Sequence, residues 1–111
     1  MIENLFARPD LVNQVRMLIM GELDSGRMDS DTVARTLHMS RASLYRRLRE
    51  ERTTFQAIRN EIIERLAKKA LKETDSPISQ IALMLGYSEH SAFVHSFTRL
   101  AGVSPSAYRT G

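Results

Sequence analysis

Five arginines fall within the twelve residues RASLYRRLREER, from position 41 to position 52. A guanidinium is always charged and carries its N–H donors in a planar fork, which can bond guanine O6 and N7 together or hold a phosphate. Arginine at this density favours a polyanion as the partner. The alternative is a solvated arginine face, because many helical proteins are equally basic.

Helical geometry separates these arginines into different roles. With Leu44 and Leu48 turned toward a core, a rotation of 100° per residue places Arg46 and Arg49 on the opposite face. Arg46 has the reach to bond a base edge, whereas Tyr45 and Arg49 are better placed for phosphate or sugar. The same outward surface includes Ala42 and Ser43, with Arg41, Arg47 and Arg52 nearer its flanks, where backbone contacts are expected.

A second stretch, IALMLGYSEHSAFVHSF at 81–97, places neutral polar side chains where a soluble helix would carry Lys or Glu. An apolar helix runs into Gly86 and restarts within two residues, which is the pattern of a helix-turn-helix. With Phe93 and Phe97 turned inward, the outer face is free to lie against base edges. That face consists of Ser91, His95, Thr98 and Arg99, with His90 and Ala92 near its N-terminal end.

The sequence offers no constellation for catalysis or metal binding. It contains no cysteine, which excludes disulfides, thiol catalysis and cysteine-based zinc sites. His90 and His95 stand five residues apart rather than three or four, with only Glu89 nearby, so they are not expected to bind a metal. Scattered serines, three histidines and no glycine-rich phosphate loop argue against an enzyme, and no cofactor is expected.

Length and charge set the broad class. A chain of 111 residues can bury one core but is short for two independent domains. No apolar run reaches the ~18 residues that span a bilayer and no secretory signal is present, so a cytoplasmic protein without a membrane partner is expected. Residues 1–31 hold three bases and six acids, a net charge of −3, whereas residues 32–111 hold 13 bases and seven acids, a net charge of +6. The basic part is the expected footprint for a polyanion.

Apolar spacings of three and four residues predict an all-α chain of about seven helices, and no segment alternates with a period of two. The pattern divides the chain into two helix-turn-helix lobes joined by a long central helix. The expected segments are an N-terminal helix region (1–29), a first helix-turn-helix (30–50), a linker helix (53–74), a second helix-turn-helix (77–101) and a C-terminal short helix (102–111).

Polar residues and glycines mark the expected helix ends. Gly26 is predicted to end the first helix in the left-handed conformation, and Gly86 and Gly102 are predicted to end two later helices. The predicted N-caps are Asp29 or Ser30, Ser40, Ser76 and Ser88, and Thr53, which forms a capping box with Gln56. The predicted buried face of the linker helix consists of Phe55, Ile58, Ile62, Leu66 and Ala70.

The first helix-turn-helix is repeated 48 residues later in the chain. VARTLHMS at 33–40 aligns with IALMLGYS at 81–88. In each copy the alanine allows two helices to approach closely, the leucine fills their crossing, and the next residue makes the turn. His38 makes the first turn, and histidine tolerates positive φ better than most side chains. The matched pairs are Val33 with Ile81, Ala34 with Ala82, Leu37 with Leu85, and Ser40 with Ser88.

The segment PISQIALMLGYSEHSAFVHSFTRLAGVSPSAYR at 77–109 resembles the C-terminal signature of the AraC/XylS-type bacterial transcription regulators, and the likeness covers residues 31–109. The resemblance implies two helix-turn-helix lobes on one long helix and sequence-specific binding to double-stranded promoter DNA, usually to activate transcription. RNA polymerase is a candidate partner of such a regulator. The family usually carries a separate ligand-sensing or dimerising domain, which nothing here resembles, so the chain is expected to be a minimal member or a fragment.

Several positions depart from the family pattern. His38 and Arg52 stand where the family usually has glycine, and Ile63 stands where it often has arginine. His95 replaces an arginine that is common in the second recognition helix. The resemblance therefore implies that the second lobe binds more weakly or prefers a different base.

A helical protein-binding adaptor with solvated arginines is the alternative to DNA binding, and binding to random duplex DNA at low salt separates the two. RNA is less favoured, because a helix cannot enter the narrow major groove of an A-form duplex. For DNA, the helix within the linker segment is expected to run from Phe55 to Glu73, and its 19 residues span about 28 Å at ~1.5 Å per residue. The lobes at its ends would then place two recognition helices about one DNA turn apart, near 34 Å.

Overall fold

The computed structural model describes residues 10–23 and 29–111. All of the regular structure in these two ranges is helical, which confirms the predicted all-α fold. Gly26, the predicted end of the first helix, lies outside the described residues. The helices are α1 (Leu11–Gly21), α2 (Ser30–Thr36), α3 (Arg41–Glu50), α4 (Phe55–Glu73), α5 (Ile78–Met84), α6 (His90–Ala101) and α7 (Pro105–Thr110).

Side-chain caps begin several of these helices, because the first N–H groups of a helix have no partner within it. Asp29 accepts a hydrogen bond from Thr32 N at 2.8 Å, and Ser40 accepts one from Ser43 N at 3.1 Å, as predicted for the starts of α2 and α3. The hydrogen bonds from Thr32 hold the pKa of the Asp29 carboxyl below its ordinary value. Both helices of the first turn are therefore fixed at their N-terminal ends.

The turns after α2, α3 and α5 share one backbone geometry. In each, a residue with positive φ follows the helix, and the next N–H reaches back to the carbonyl five residues earlier. The positive-φ residues are His38 (60°), Arg52 (61°) and Gly86 (91°). The closing bonds are Met39 N to Ala34 O (2.9 Å), Thr53 N to Leu48 O (3.0 Å) and Tyr87 N to Ala82 O (3.0 Å). The 48-residue repeat thus corresponds to a repeated helix ending.

The predicted capping box of Thr53 and Gln56 is wrong. The Thr53 N–H donates to Leu48 O and closes α3, whereas in a capping box it would donate to the Gln56 side chain. Thr54 is the N-cap instead, with extended backbone and a side chain that accepts from Ala57 N at 3.0 Å. The Gln56 amide donates to Asn60 Oδ1 at 2.8 Å rather than reaching back to the cap.

Two other predicted caps are also wrong. The N-cap of α5 is Pro77 rather than Ser76, since the first backbone bonds of that helix accept at Pro77 O. The N-cap of α6 is Glu89, with no side-chain cap bond, rather than Ser88. The second turn is one residue longer than the first, because α3 begins directly after Ser40 whereas α6 begins two residues after Ser88.

The linker helix α4 has the predicted bounds but changes its buried face along its length. Phe55, Ile58 and Ile62 are buried in its first half, as predicted, whereas Leu66 and Ala70 are only half-buried. From Ile63 onward, the helix instead buries a second stripe, made of Ile63, Ala67 and Leu71. At 100° per residue, the two stripes point roughly 150° apart.

The two lobes therefore attach to different sides of α4. The first lobe is formed by α1, α2 and α3, and the second by α5, α6 and α7. α1 packs against α4 from the first lobe, and all three helices of the second lobe pack against it as well. Arg16 strengthens the first attachment with an ion pair to Glu61 at 3.1 Å. The resulting body measures 44 × 31 × 22 Å.

Substitution of His38 measures how much the shared turn lowers stability. His38 has an exposed side chain and a backbone conformation that favours glycine. We expect His38→Gly to raise the free energy of unfolding by about 0.5–1 kcal/mol, since the left-handed strain is relieved. Gly86→Ala, the reverse change at the equivalent turn, should lower it by a similar amount. Urea denaturation of both variants measures the effect, and a less stable His38→Gly would show that the imidazole makes a stabilising contact.

Candidate nucleic-acid interface

α3 presents the predicted arginine surface to solvent. Leu44 and Leu48 are fully buried on its inner side. Within the described ranges, the guanidinium groups of Arg46 and Arg49 make no ion pair or hydrogen bond, so both are available to a ligand. The exposed members of the predicted site on α3 are Arg41, Ala42, Tyr45, Arg46 and Arg49, and Ser43 is half-buried.

Two members of this surface are tied to the start of α2. The Tyr45 hydroxyl donates to Ser30 Oγ at 3.2 Å. Arg41 pairs with Asp31 at 3.6 Å, although both side chains are more than half exposed. An exposed pair of this kind adds little stability. Both contacts connect α3 to the start of α2, while the exposed parts of Tyr45 and Arg41 remain on the same surface as Arg46.

α6 presents a less charged surface of the same kind. Phe93 and Phe97 are fully buried, which sets the opposite side toward solvent. Thr98 is exposed, but its hydroxyl donates to Val94 O at 2.7 Å and so is occupied within the helix. All six predicted site residues on α6 are exposed: His90, Ser91, Ala92, His95, Thr98 and Arg99.

The turn before α6 is held by a contact that the sequence pattern did not predict. Tyr87, in the turn, donates its hydroxyl hydrogen to Ser96 Oγ at 3.0 Å. Its ring lies 5.5 Å from that of Phe93. These contacts fix the turn against the middle of α6. A tyrosine directly after a turn glycine was the available signal, but its partner could not be chosen from spacing alone.

Charge is distributed unevenly between the two surfaces. α3 holds four arginines and one glutamate, a formal charge of +3, whereas α6 holds Arg99 alone and no acid. Electrostatic attraction to a polyanion is therefore concentrated on the first lobe. Contacts by α6 depend more on hydrogen bonding and shape.

Other features of the described chain lie away from these two helices. A mainly apolar cleft of about 520 Å³ lies where α1, α4 and α5 meet, and neither α3 nor α6 contributes to its lining.

Among the described residues, no group of three or more His, Asp or Glu side chains could hold a metal ion. None of the helices in this part of the chain is long and apolar enough to cross a membrane.

Comparison with known proteins assigns the family. A family model described as a helix-turn-helix domain matches residues 33–111. The chain belongs to the AraC/XylS-type helix-turn-helix family. The match covers both exposed helices and the linker, so the expected resemblance is confirmed.

A regulator and two solved structures illustrate this AraC/XylS-type relationship. The ornithine utilization regulator of Pseudomonas aeruginosa is 34% identical over 109 residues, which are 98% of this chain and 32% of the regulator. The chain thus spans about a third of that relative's length. The C-terminal domain of AraT, a response regulator from Geobacillus stearothermophilus, superposes with a TM-score of 0.85 at 28% identity, covering 92% of this chain and 85% of the other. The DNA-binding domain of AdpA, solved with a target DNA, gives 0.78 at 26% identity, covering 92% of each chain.

Proposed function

We propose that this AraC/XylS-type domain binds double-stranded promoter DNA sequence-specifically and regulates transcription as an activator. The observation that carries the proposal is the pair of exposed helix faces on α3 and α6, each following the same backbone turn. A helix of this kind fits the major groove of B-form DNA. The likeness to the AdpA domain, which was solved with its target DNA, supports the same conclusion.

The first lobe supplies the strongest anchor in this proposal. Arg46 lies opposite Leu44 and Leu48 and bonds guanine O6 and N7 with its fork. Arg49 and Tyr45 hold phosphate or sugar and fix the register of α3 on the duplex. Further contacts on this lobe come from Arg41, Ala42 and Ser43.

The second lobe reads a neighbouring groove segment with shorter side chains. His95 and Ser91 lie on the exposed middle and start of α6 and bond base edges directly. Arg99, as the one guanidinium of the helix, holds a phosphate. His90, Ala92 and Thr98 complete the contact surface. Because α6 carries little charge, this lobe adds specificity more than affinity.

The proposal includes two partners for the domain. Promoter DNA is the ligand, and RNA polymerase is the further partner through which an activator acts. No step of the proposal needs a cofactor or a catalytic group. A protein that regulates bacterial promoters works in the cytoplasm, where the chromosome lies. The alternative, a helical adaptor that binds only protein, is the conclusion that failed DNA binding would favour.

Salt dependence tests the electrostatic part of the proposal. If about five phosphates are neutralised, the logarithm of the affinity should fall with the logarithm of salt concentration at a slope near −4 to −5, from roughly −0.9 per phosphate. Fluorescence anisotropy with a labelled random duplex gives the slope. Binding that does not change with salt would exclude a groove-bound arginine surface.

Arg46 and Arg49 provide a matched pair for testing direct base contacts. Both are exposed arginines on α3, and they differ in the proposed target. Arg46→Ala should weaken binding to the selected site by roughly 1–3 kcal/mol and leave random-DNA binding almost unchanged. Arg49→Ala should weaken both to a similar extent. An equal loss on both DNAs for Arg46→Ala would contradict the base contact, and urea denaturation checks that both variants stay folded.

Footprinting tests the two-helix arrangement. The domain is 44 Å long. This length accommodates α3 and α6 at a separation of about 34 Å, which equals the length of one turn of B-form DNA. A monomer should therefore protect two successive major-groove segments on one side of an asymmetric site. Hydroxyl-radical footprinting of the 111-residue chain on a selected site makes the measurement. Protection of one segment, or a requirement for an inverted repeat, would contradict the proposal.

A further inference from the structure

The last helix of the chain joins the linker helix to the second recognition helix. α7 packs against both α4 and α6. Arg109, near its end, donates from Nε to Leu71 O at 3.0 Å and from Nη2 to Thr74 O at 3.2 Å. Leu71 lies in the last turn of α4 and Thr74 is its C-cap. One guanidinium therefore holds two carbonyls at the end of the linker helix.

The contact bonds carbonyl groups that a helix leaves without partners at its C-terminal end. The last four carbonyls of a helix have no partner within it, and the partial negative charge there attracts a cation. Lysine or arginine from the same helix often supplies that cation. Here it comes from more than thirty residues further along the chain, and the planar fork bonds two carbonyls through two different nitrogens. Lys72 adds a weaker bond in return, from Nζ to Arg109 O at 3.5 Å.

Tyr108 continues the connection from α7 into the core of the second lobe. Its ring meets that of Phe97 edge to face, with centroids 5.8 Å apart and planes at 70°. Phe97 is fully buried on the inner side of α6. On the α4 side, the ammonium groups of Lys68 and Lys72 lie 5.6 and 5.1 Å from the centre of the Tyr108 ring. Adjacent residues of α7 thus contact α4 and α6 at once.

We propose that Arg109 is a positioning residue, which fixes α6 on the end of α4 and thereby sets the second recognition helix in register with the first. This inference rests on the proposed DNA-binding function. Arg109 is half-buried, and two of its N–H donors bond carbonyls at the end of α4. Its effect on DNA binding therefore comes from the position of α6 rather than from a phosphate contact. Loss of the fork frees α7 and lets the second lobe shift on α4.

The test compares two variants on two duplexes, one holding both segments of the selected site and one holding only the segment bound by α3. Arg109→Met keeps an unbranched, apolar side chain as far as the position of Nε and removes the fork. We expect its affinity for the two-segment duplex to fall about tenfold or more, because the second lobe no longer adds to the first. Its affinity for the one-segment duplex should stay within about twofold of the wild type, and its footprint should lose the second segment alone.

Arg109→Lys separates position from charge. It keeps the positive charge but lacks the planar fork with its two separate donor nitrogens, so we expect its footprint to resemble that of Arg109→Met. A phosphate contact would instead leave Arg109→Lys close to the wild type. Lys69→Met is the matched control, because it removes one exposed charge from α4 that makes no hydrogen bond or ion pair within the described chain, and it should keep both footprint segments.

The outcomes are distinguishable. Loss of the second segment in both Arg109 variants, with the first retained, supports the positioning role. Equal losses on both duplexes, or full binding by Arg109→Lys, would overturn it and leave the DNA-binding function standing. A wild-type chain that protects neither segment would remove the proposed function and the positioning role with it.

Discussion

Both lobes of this domain are held by the two apolar stripes of one helix. α4 buries Phe55, Ile58 and Ile62 on one side toward its N-terminal end, and from Ile63 onward it buries Ile63, Ala67 and Leu71 on a different side. Neither lobe is large enough to bury a separate core of useful size, because small chains bury too little of their surface. Sharing α4 joins both lobes in one hydrophobic cluster. The relation between α3 and α6 is therefore a property of α4 and its contacts, rather than of a flexible linker.

The same helix ending occurs in both lobes, but its positive-φ position is occupied by different residue types. The second lobe uses Gly86, which adopts positive φ without strain, whereas the first uses His38. A third copy at Arg52 ends α3 and directs the chain into α4. In all three places the geometry is retained even where the side chain disfavours it. The same helix ending is thus repeated within the molecule at some cost in stability.

Local signals in the sequence predicted the parts of this structure that depend on neighbouring residues. The bounds of α4, the Ser40 cap and the strained turn at His38 follow from spacing and residue type within a few positions. The change of buried face along α4 could not be predicted, because Ile63 and Leu71 become core residues only when the second lobe covers them. Arg109 was missed for the same reason, since its carbonyl partners lie more than thirty residues away. On α3 and α6 the pattern predicted which side chains face solvent, and their contacts with DNA remain a prediction.

The central claim is that α4 fixes the distance and the rotation between two recognition helices. A series of duplexes tests it most directly, with the two selected segments held constant and the spacing between them varied one base pair at a time. We predict that affinity is highest near ~10 bp between segment centres, where both grooves face the protein. Inserting five base pairs turns the second segment to the opposite side and should reduce affinity to that of the first segment alone. Equal affinity across the series would show that the lobes move independently, which would contradict this account.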